Sequence, residues 1–279
     1  MTATNDVIRL TAPDGATATM SLNGGHLLSW QPAGAPEQLY LSPRSEYASG
    51  KKAIRGGVPV IFPQFSDRGP LPRHGFARTL PWELVSQEQG QDDALAVLRL
   101  RDGDATRAIW PHAFELELSV RVSGRSLDIE LACENTGDAP LQFTAALHTY
   151  LRVADLDAVS VEGLAGLRYF DSVKQAEALQ RMDLLLTGEK GVLDLDRIYF
   201  GVKERPLLVT EDRRQVVIQQ QGFDDAVVWN PGPERCAKLA DVPPEGWSEM
   251  LCVEAASIGR PIELQAGENW VGRQSLSLL

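Results

Sequence analysis

Along most of this 279-residue chain apolar residues alternate with polar ones, and no long stretch repeats at the spacing of an amphipathic helix. The clearest case is FELELSVRV. Phe114, Leu116, Leu118, Val120 and Val122 share one face, and Glu115, Glu117 and Arg121 the other. Ser123-Gly124-Arg125 then reads as a turn, after which Leu127, Ile129 and Leu131 repeat the pattern against Asp128 and Glu130. The alternation predicts antiparallel strands with one side in a core and one side wet. Further strands are expected at 7–10, 16–22, 26–30, 58–62, 95–101, 207–210, 216–220, 226–229, 250–255, 261–264 and 270–276, with a short helical turn and loop over 238–247. Without tandem repeats or a long linker, the simplest architecture is one all-β domain over residues 1–279, a large antiparallel sandwich.

Two strands break the regular pattern. In LQFTAALHTYLRV, residues 141–153, Leu147, Thr149 and Leu151 face one way, so His148, Tyr150 and Arg152 face the other. A histidine sharing a strand face with Tyr and Arg is a site candidate. In MLCVEA, residues 250–255, Glu254 sits inside an apolar run, where a carboxylate is costly to desolvate unless it has partners.

Charge adds a second signal. The chain carries a net charge of −11, yet residues 44–78 hold seven Lys or Arg against Glu46 and Asp67. Within that window, Arg55, Arg68, Arg73, His74 and Arg78 lie among glycines and prolines. Guanidinium presents a planar fork of donors to phosphate or carboxylate, so a local anion site is expected there. Arg55-Gly56-Gly57 would let backbone approach the ligand closely. The acidic balance of the remainder argues against nucleic acid or an anionic membrane as partner. No apolar stretch approaches a membrane span and the first residues lack a leader pattern, so a cytoplasmic protein is expected. Cys133, Cys236 and Cys252 are odd in number and widely spaced, as reduced core thiols would be.

The four histidines are His26, His74, His112 and His148. His26 beside Asn23-Gly24-Gly25 reads as structural, and His112 as a surface or capping residue. A P-loop, a zinc-spaced Cys/His cluster and a G-x-S-x-G elbow are all absent. What remains suits acid/base work on an anionic small molecule.

Seven stretches carry a resemblance. They are Arg55-Gly56-Gly57-Val58-Pro59, Phe62-Pro63-Gln64-Phe65, His74-Gly75-Phe76-Ala77-Arg78, Leu147-His148-Thr149-Tyr150, Asp196-Arg197-Ile198-Tyr199, Val228-Trp229-Asn230-Pro231 and Cys252-Val253-Glu254. In order and spacing they resemble the motifs of the glucose-6-phosphate 1-epimerases, or hexose-6-phosphate mutarotases, a branch of the aldose 1-epimerase superfamily. The similarity runs from about Asn23 to Trp270. It implies a galactose mutarotase-like β-supersandwich, with the site on the concave face of the main sheet, that interconverts the α and β anomers of a hexose 6-phosphate with no cofactor or metal. By motif, His148 is the general acid and Glu254 the general base. Arg55 and Arg78 would bind the phosphate, His74 and Asp196 (or the nearby Asp194) would contact the sugar, and Gln64 belongs to the same set. Where relatives often have glutamine, Arg73 would add a third guanidinium. Trp229 could stack on the sugar or serve as a core aromatic.

Anomer exchange requires a proton to leave the C1 hydroxyl while one reaches the ring oxygen, so two groups on opposite sides of the sugar would trade proton roles. An epimerase of unphosphorylated aldoses would leave the arginines as surface decoration. A sugar-phosphate binding protein would bind without turnover, and an accessory β-domain would show exposed aromatics on a flat face. A monomer is the expected state.

Overall fold

A computed structural model describes residues 7–45, 53–186 and 194–279. Glu46, Lys51 and Lys52 of the basic window lie outside the described residues. Almost all regular structure is antiparallel strand, in three sheets. The smallest joins Val7–Thr11, Thr17–Ser21 and His26–Gln31.

The nine-stranded sheet runs in the order Leu184–Leu185, Val159–Glu162, Leu207–Glu211, Arg214–Gln221, Asn269–Leu278, Ser126–Glu134, Glu115–Ser123, Ala94–Arg101 and Glu83–Gln89. Its alternation matches the expectation: Leu116, Leu118, Val120 and Val122 are buried while Arg121 is exposed. The eight-stranded sheet runs Ala176–Leu179, Arg168–Asp171, Leu195–Tyr199, Asp225–Asn230, Met250–Leu264, Leu141–Leu147 and Val60–Ile61, with Tyr150–Arg152 also paired to Met250–Leu264.

One apolar core lies between the two large sheets. Leu147, Val228, Leu251, Val253 and Ala255 from one meet Leu118, Ile129, Leu131 and Leu276 from the other. The polar groups that enter it are paired, as buried polar atoms must be. Thr149 Oγ1 donates to Gln274 Oε1, and Gln274 Nε2 donates to the Val253 carbonyl oxygen at 3.0 Å, which fastens the sheets together beneath residues 148–149.

Two sequence expectations need correction. Residues 250–255 and 261–264 are not separate strands but parts of Met250–Leu264. Its pairing with Leu141–Leu147 slips between Ser257 and Ile262, forming a bulge at Gly259-Arg260-Pro261. Asp225 Oδ2 holds that bulge by accepting from the Ile258 and Gly259 N–H groups at 2.9 and 2.7 Å. Near the expected 238–247 turn, short helices lie instead at its flanks, Gly232–Cys236 and Gly246–Glu249. All three cysteines are buried and free.

Candidate active site

The face of the eight-stranded sheet turned away from the core is not left to solvent. Register places its side chains in rows. One row reads Ile198, Val227, Glu254, His148, and the next Asp196, Trp229, Cys252, Tyr150. Leu147 opposite Ala255 and Tyr150 opposite Cys252 make His148 and Glu254 direct cross-strand neighbours, the closest side-chain relationship a sheet offers. His148 Nε2 stands 3.3 Å from Glu254 Oε1. Ile61, Ala146, Ile198, Val227 and Ala256 form an apolar floor around the pair.

Three segments roof this floor. In the first, the His148 N–H donates to the Pro59 carbonyl oxygen at 3.0 Å and the Tyr150 N–H to that of Gly57 at 2.9 Å, which brings Arg55 alongside the Tyr150 ring. Gly57 is needed for close packing against the chain and not against a ligand. Its φ is 59°, and a Cβ there would stand 2.1 Å from the Leu27 carbonyl oxygen. The expected ligand approach at Gly56-Gly57 is therefore replaced by contacts with Leu27, Tyr40 and Leu41. His26, fully buried, donates Nε2–H to the Gly56 carbonyl oxygen at 2.7 Å and is structural as expected.

The second segment is the loop to Arg78. Gly75, with φ 66°, would put a Cβ 2.1 Å from the Phe62 carbonyl oxygen, so this position too excludes a side chain. His74 adopts φ 63°, a strained region for a non-glycine residue. Its Nδ1 accepts from the Ser66 N–H at 3.3 Å, leaving the proton on Nε2. Gln64 does not line the cavity. Its amide is consumed by the Ser66 and Leu71 carbonyl oxygens and the Leu71 N–H, all within 3.0 Å, and it shapes the loop from inside.

The third segment follows Trp229, where Asn230 Nδ2 donates to the Trp247 and Met250 carbonyl oxygens, both at 2.7 Å. This tether delivers Arg235 and Asp241 to the rim, neither of which sequence reasoning picked out. Only a reading of Asn230-Pro231-Gly232 as a turn folding back over the sheet could have found them.

The enclosed volume is about 880 Å³, within the roughly 300–1,000 Å³ typical of small-molecule sites. Arg55, Arg68, Arg73, Arg78 and Arg235 line it, together with Asp67, Asp196, Asp241 and Glu254. Arg55 donates from Nε to Asp241 Oδ2 and from Nη1 to the Tyr150 hydroxyl, each at 3.1 Å. Arg78 donates to the Arg73 carbonyl oxygen, while its buried Nε has no protein partner among the described residues. Arg73 pairs with Asp67 at 3.4 Å at the exposed rim, and Arg68 lies over the Phe170 ring at 4.8 Å. Asp196 lies 3.7 Å from Arg235, an ion pair beyond hydrogen-bond reach. Asp194 is exposed and outside the cavity, so of the two candidates Asp196 is the lining residue. Trp229 lines the cavity and stands edge-on to His148 at 5.9 Å. Arg152 leaves the site and lies over Tyr40. No group of three or more His, Cys, Asp or Glu among the described residues is placed to hold a metal ion.

Burial controls the protonation of the pair. It pushes the Glu254 carboxyl well above the carboxylate range, with Asp196 adding to the rise and Arg78 opposing it. It pushes His148 well below the ordinary imidazole value, reinforced by coupling to the neighbouring His74 and by the guanidiniums of Arg55 and Arg78. His74 is lowered to about 3, mainly by burial and then by Arg78. Both shifts favour the neutral pair, a protonated Glu254 beside a neutral His148 with one proton shared between two sites, over the ionised one. A fully ionised salt bridge is not what this environment supports, although the 3.3 Å separation would allow one.

The sequence model of the family described as Aldose 1-epimerase matches residues 6–277. The chain belongs to the aldose 1-epimerase family. Within it, a protein of Cenchrus ciliaris provisionally named glucose-6-phosphate 1-epimerase is 34% identical over 93% of this chain and 80% of its own length. An Escherichia coli protein of the same provisional name is 38% identical over 86% of this chain and 79% of its own. The crystal structure of a protein from Salmonella typhimurium described as a mutarotase, also provisionally, superposes with a TM-score of 0.85 at 30% identity, covering 98% of this chain and 90% of that one. The family is enzymatic and the galactose mutarotase-like fold is shared, so the His148–Glu254 cavity lies on an enzyme scaffold.

Proposed function

We propose that this enzyme interconverts the α and β anomers of glucose 6-phosphate and related hexose 6-phosphates. The observation that carries the reading is the cross-strand His148–Glu254 pair on the floor of a cavity ringed by five guanidiniums. The provisional names of its relatives point the same way.

The hydroxyl oxygen and the ring oxygen of a pyranose are bonded to the same carbon, so an acid and a base that stand side by side can act on both. His148 and Glu254, 3.3 Å apart on one sheet surface, take that arrangement in place of the expected one with the two groups on opposite sides of the sugar. Glu254 as carboxylate takes the C1 hydroxyl proton while His148 as imidazolium protonates the ring oxygen. The C1–O5 bond breaks, leaving an open aldehyde, a protonated Glu254 and a neutral His148. Rotation about C1–C2 presents the other carbonyl face, and as the ring recloses Glu254 gives its proton to the carbonyl oxygen while His148 takes one back from the C5 hydroxyl. The pair holds one proton before opening and one after it, so no proton need be exchanged with solvent. Each partner contributes about 10²–10⁴-fold. Because burial favours Glu254–H with neutral His148, the protonation that matches the open-chain intermediate is already the stable one.

Arg55 and Arg78 take the phosphate, with Arg73 at the rim, and this anchors a non-reacting part of the substrate so that C1 lies over the pair. His74 Nε2–H and the Asp196 carboxylate, whose pKa burial raises, take sugar hydroxyls, and Trp229 faces the ring. Gln64 acts by shaping the loop that carries His74. A single domain, a monomer and a cytoplasmic location complete the reading. The shared core of the sheets supports the first, and no helix among the described residues is long and apolar enough to cross a membrane.

The test is anomerisation of freshly dissolved α-glucose 6-phosphate, followed by polarimetry, with α-glucose alongside. Wild type should accelerate the phosphorylated sugar far more than glucose. No acceleration of either beyond the spontaneous rate would leave a binding protein, and equal acceleration of both would make the arginines irrelevant.

A further inference from the structure

Tyr150 occupies a place that the reaction above does not use. Its ring is stacked on the His148 imidazole, with centroids 4.8 Å apart and planes 13° from parallel. Its hydroxyl accepts from Arg55 Nη1 at 3.1 Å, and Arg55 Nε is held by Asp241. Trp229 stands edge-on to both rings, at 5.9 and 6.0 Å, and so blocks either from turning alone. The phenol is buried and its pKa is raised, chiefly by desolvation, so the hydroxyl keeps its proton. One continuous contact thus runs from Asp241 through Arg55 and Tyr150 to His148.

We propose that Tyr150 is a positioning residue through which an anion held at Arg55 acts on the His148 ring, so that the substrate's phosphate raises turnover as well as affinity. The inference rests on the proposed hexose 6-phosphate activity. In the resting site Arg55 has, among the described residues, the carboxylate of Asp241 as its counter-ion. A phosphate dianion seated there brings more negative charge beside the ring that must become cationic, and the bound guanidinium fixes the Tyr150 hydroxyl and with it the plane on which His148 lies. The proton then passes from Glu254 Oε1 to His148 Nε2, which leaves a carboxylate and an imidazolium, the forms that attack the closed sugar. The pair's proton count is unchanged.

The phosphate should therefore work as a separate piece. We would measure wild-type anomerisation of α-glucose with and without inorganic phosphate, subtracting enzyme-free blanks at each phosphate concentration, and α-glucose 6-phosphate alongside. Saturable acceleration of glucose by phosphate is expected. In Tyr150→Phe, which keeps the ring and loses the hydroxyl, that acceleration should largely vanish, and kcat for glucose 6-phosphate should fall about tenfold with a smaller change in KM. Phosphate that only inhibits glucose turnover or leaves it unchanged overturns the proposal, and so does a Tyr150→Phe enzyme with wild-type kcat. The phosphate arm needs no variant, so it decides the matter even where Tyr150→Phe folds poorly. If wild type fails on glucose 6-phosphate itself, the proposed activity falls first and this inference with it.

Discussion

Along Glu115–Ser123 in the nine-stranded sheet, buried and solvated side chains alternate, whereas the first nine residues of Met250–Leu264 are all buried. Both strands present one face to the same core. The nine-stranded sheet gives its second face to water, and Glu117 and Arg121 need no partners there beyond their neighbours. The eight-stranded sheet gives its second face to a cavity, roofed by the segments that carry Arg55, Arg78 and Arg235. A two-layer sandwich has one interior, so a strand buried on both sides marks where the chain has built a second enclosure. That enclosure, more than the identity of any one residue, is what shifts His148 and Glu254 away from their ordinary protonation.

The contrast can be tested from its strongest consequence downward. Glu254→Gln and His148→Ala should each lower kcat on glucose 6-phosphate by about 10²–10⁴-fold. Glu254→Gln should leave the urea midpoint near wild type or higher, because it keeps the shape while removing a buried acid. A large loss of stability without loss of rate would place Glu254 among structural residues. Leu118→Ala, in the shared core beneath the wet face, should do the reverse: a loss of roughly 2–5 kcal/mol in chemical denaturation, with kcat preserved under native conditions.

Arg78→Ala should raise KM for glucose 6-phosphate by about 10–100-fold, as expected for the loss of a charge-assisted contact, and leave α-glucose turnover close to wild type. A similar loss for both sugars in polarimetric assays would refute the phosphate role. The covered histidines also predict a pH dependence. His26 is lowered to about 4 and His74 to about 3, with His148 lowered as well. Below pH 6.5 the unfolded chain gains protons that these residues refuse in the fold, so the histidine contribution is full above pH 6.5 and declines as pH falls toward 4, with the raised Glu254 carboxyl offsetting part of the decline. Each histidine adds up to about 1.4 kcal/mol per pH unit. Urea titrations at about pH 7 and pH 5 should show the decline, and His26→Gln should make it shallower. Glu117→Gln, on the wet face, should change stability by no more than about 0.5 kcal/mol and activity not at all.

Period-two alternation made the Glu115–Ser123 and Ser126–Glu134 hairpin legible, because there one face is wet and the sequence records which. The same rule put His148 and Tyr150 on one face and singled out Glu254 as a costly carboxylate in an apolar strand. It could not show that the two strands pair in the register that sets them opposite one another, since register depends on partners elsewhere in the chain. The arginine segment stood out by charge alone, but Arg235 and Asp241 did not, because an ordinary-looking loop carries them into the cavity. Gly56-Gly57 and Gln64 were legible as special and assigned to the wrong task. Chain-to-chain contacts inside a roof demand the same small or amide residues that ligand contacts would. Pro261 obscured the continuity of Met250–Leu264, since a bulge held by Asp225 is invisible to alternation.

The register that places His148 against Glu254 also bears on how the protein comes to life. The two strands lie far apart in the chain and meet only after long loops have closed, an ordering that makes β-rich proteins slow to fold. A slip of one position by either strand would turn its catalytic side chain into the core and leave a compact but inert sheet. Recovery of catalysis during refolding is therefore expected to coincide with the last structural phase, so turnover serves as a clock for completed assembly.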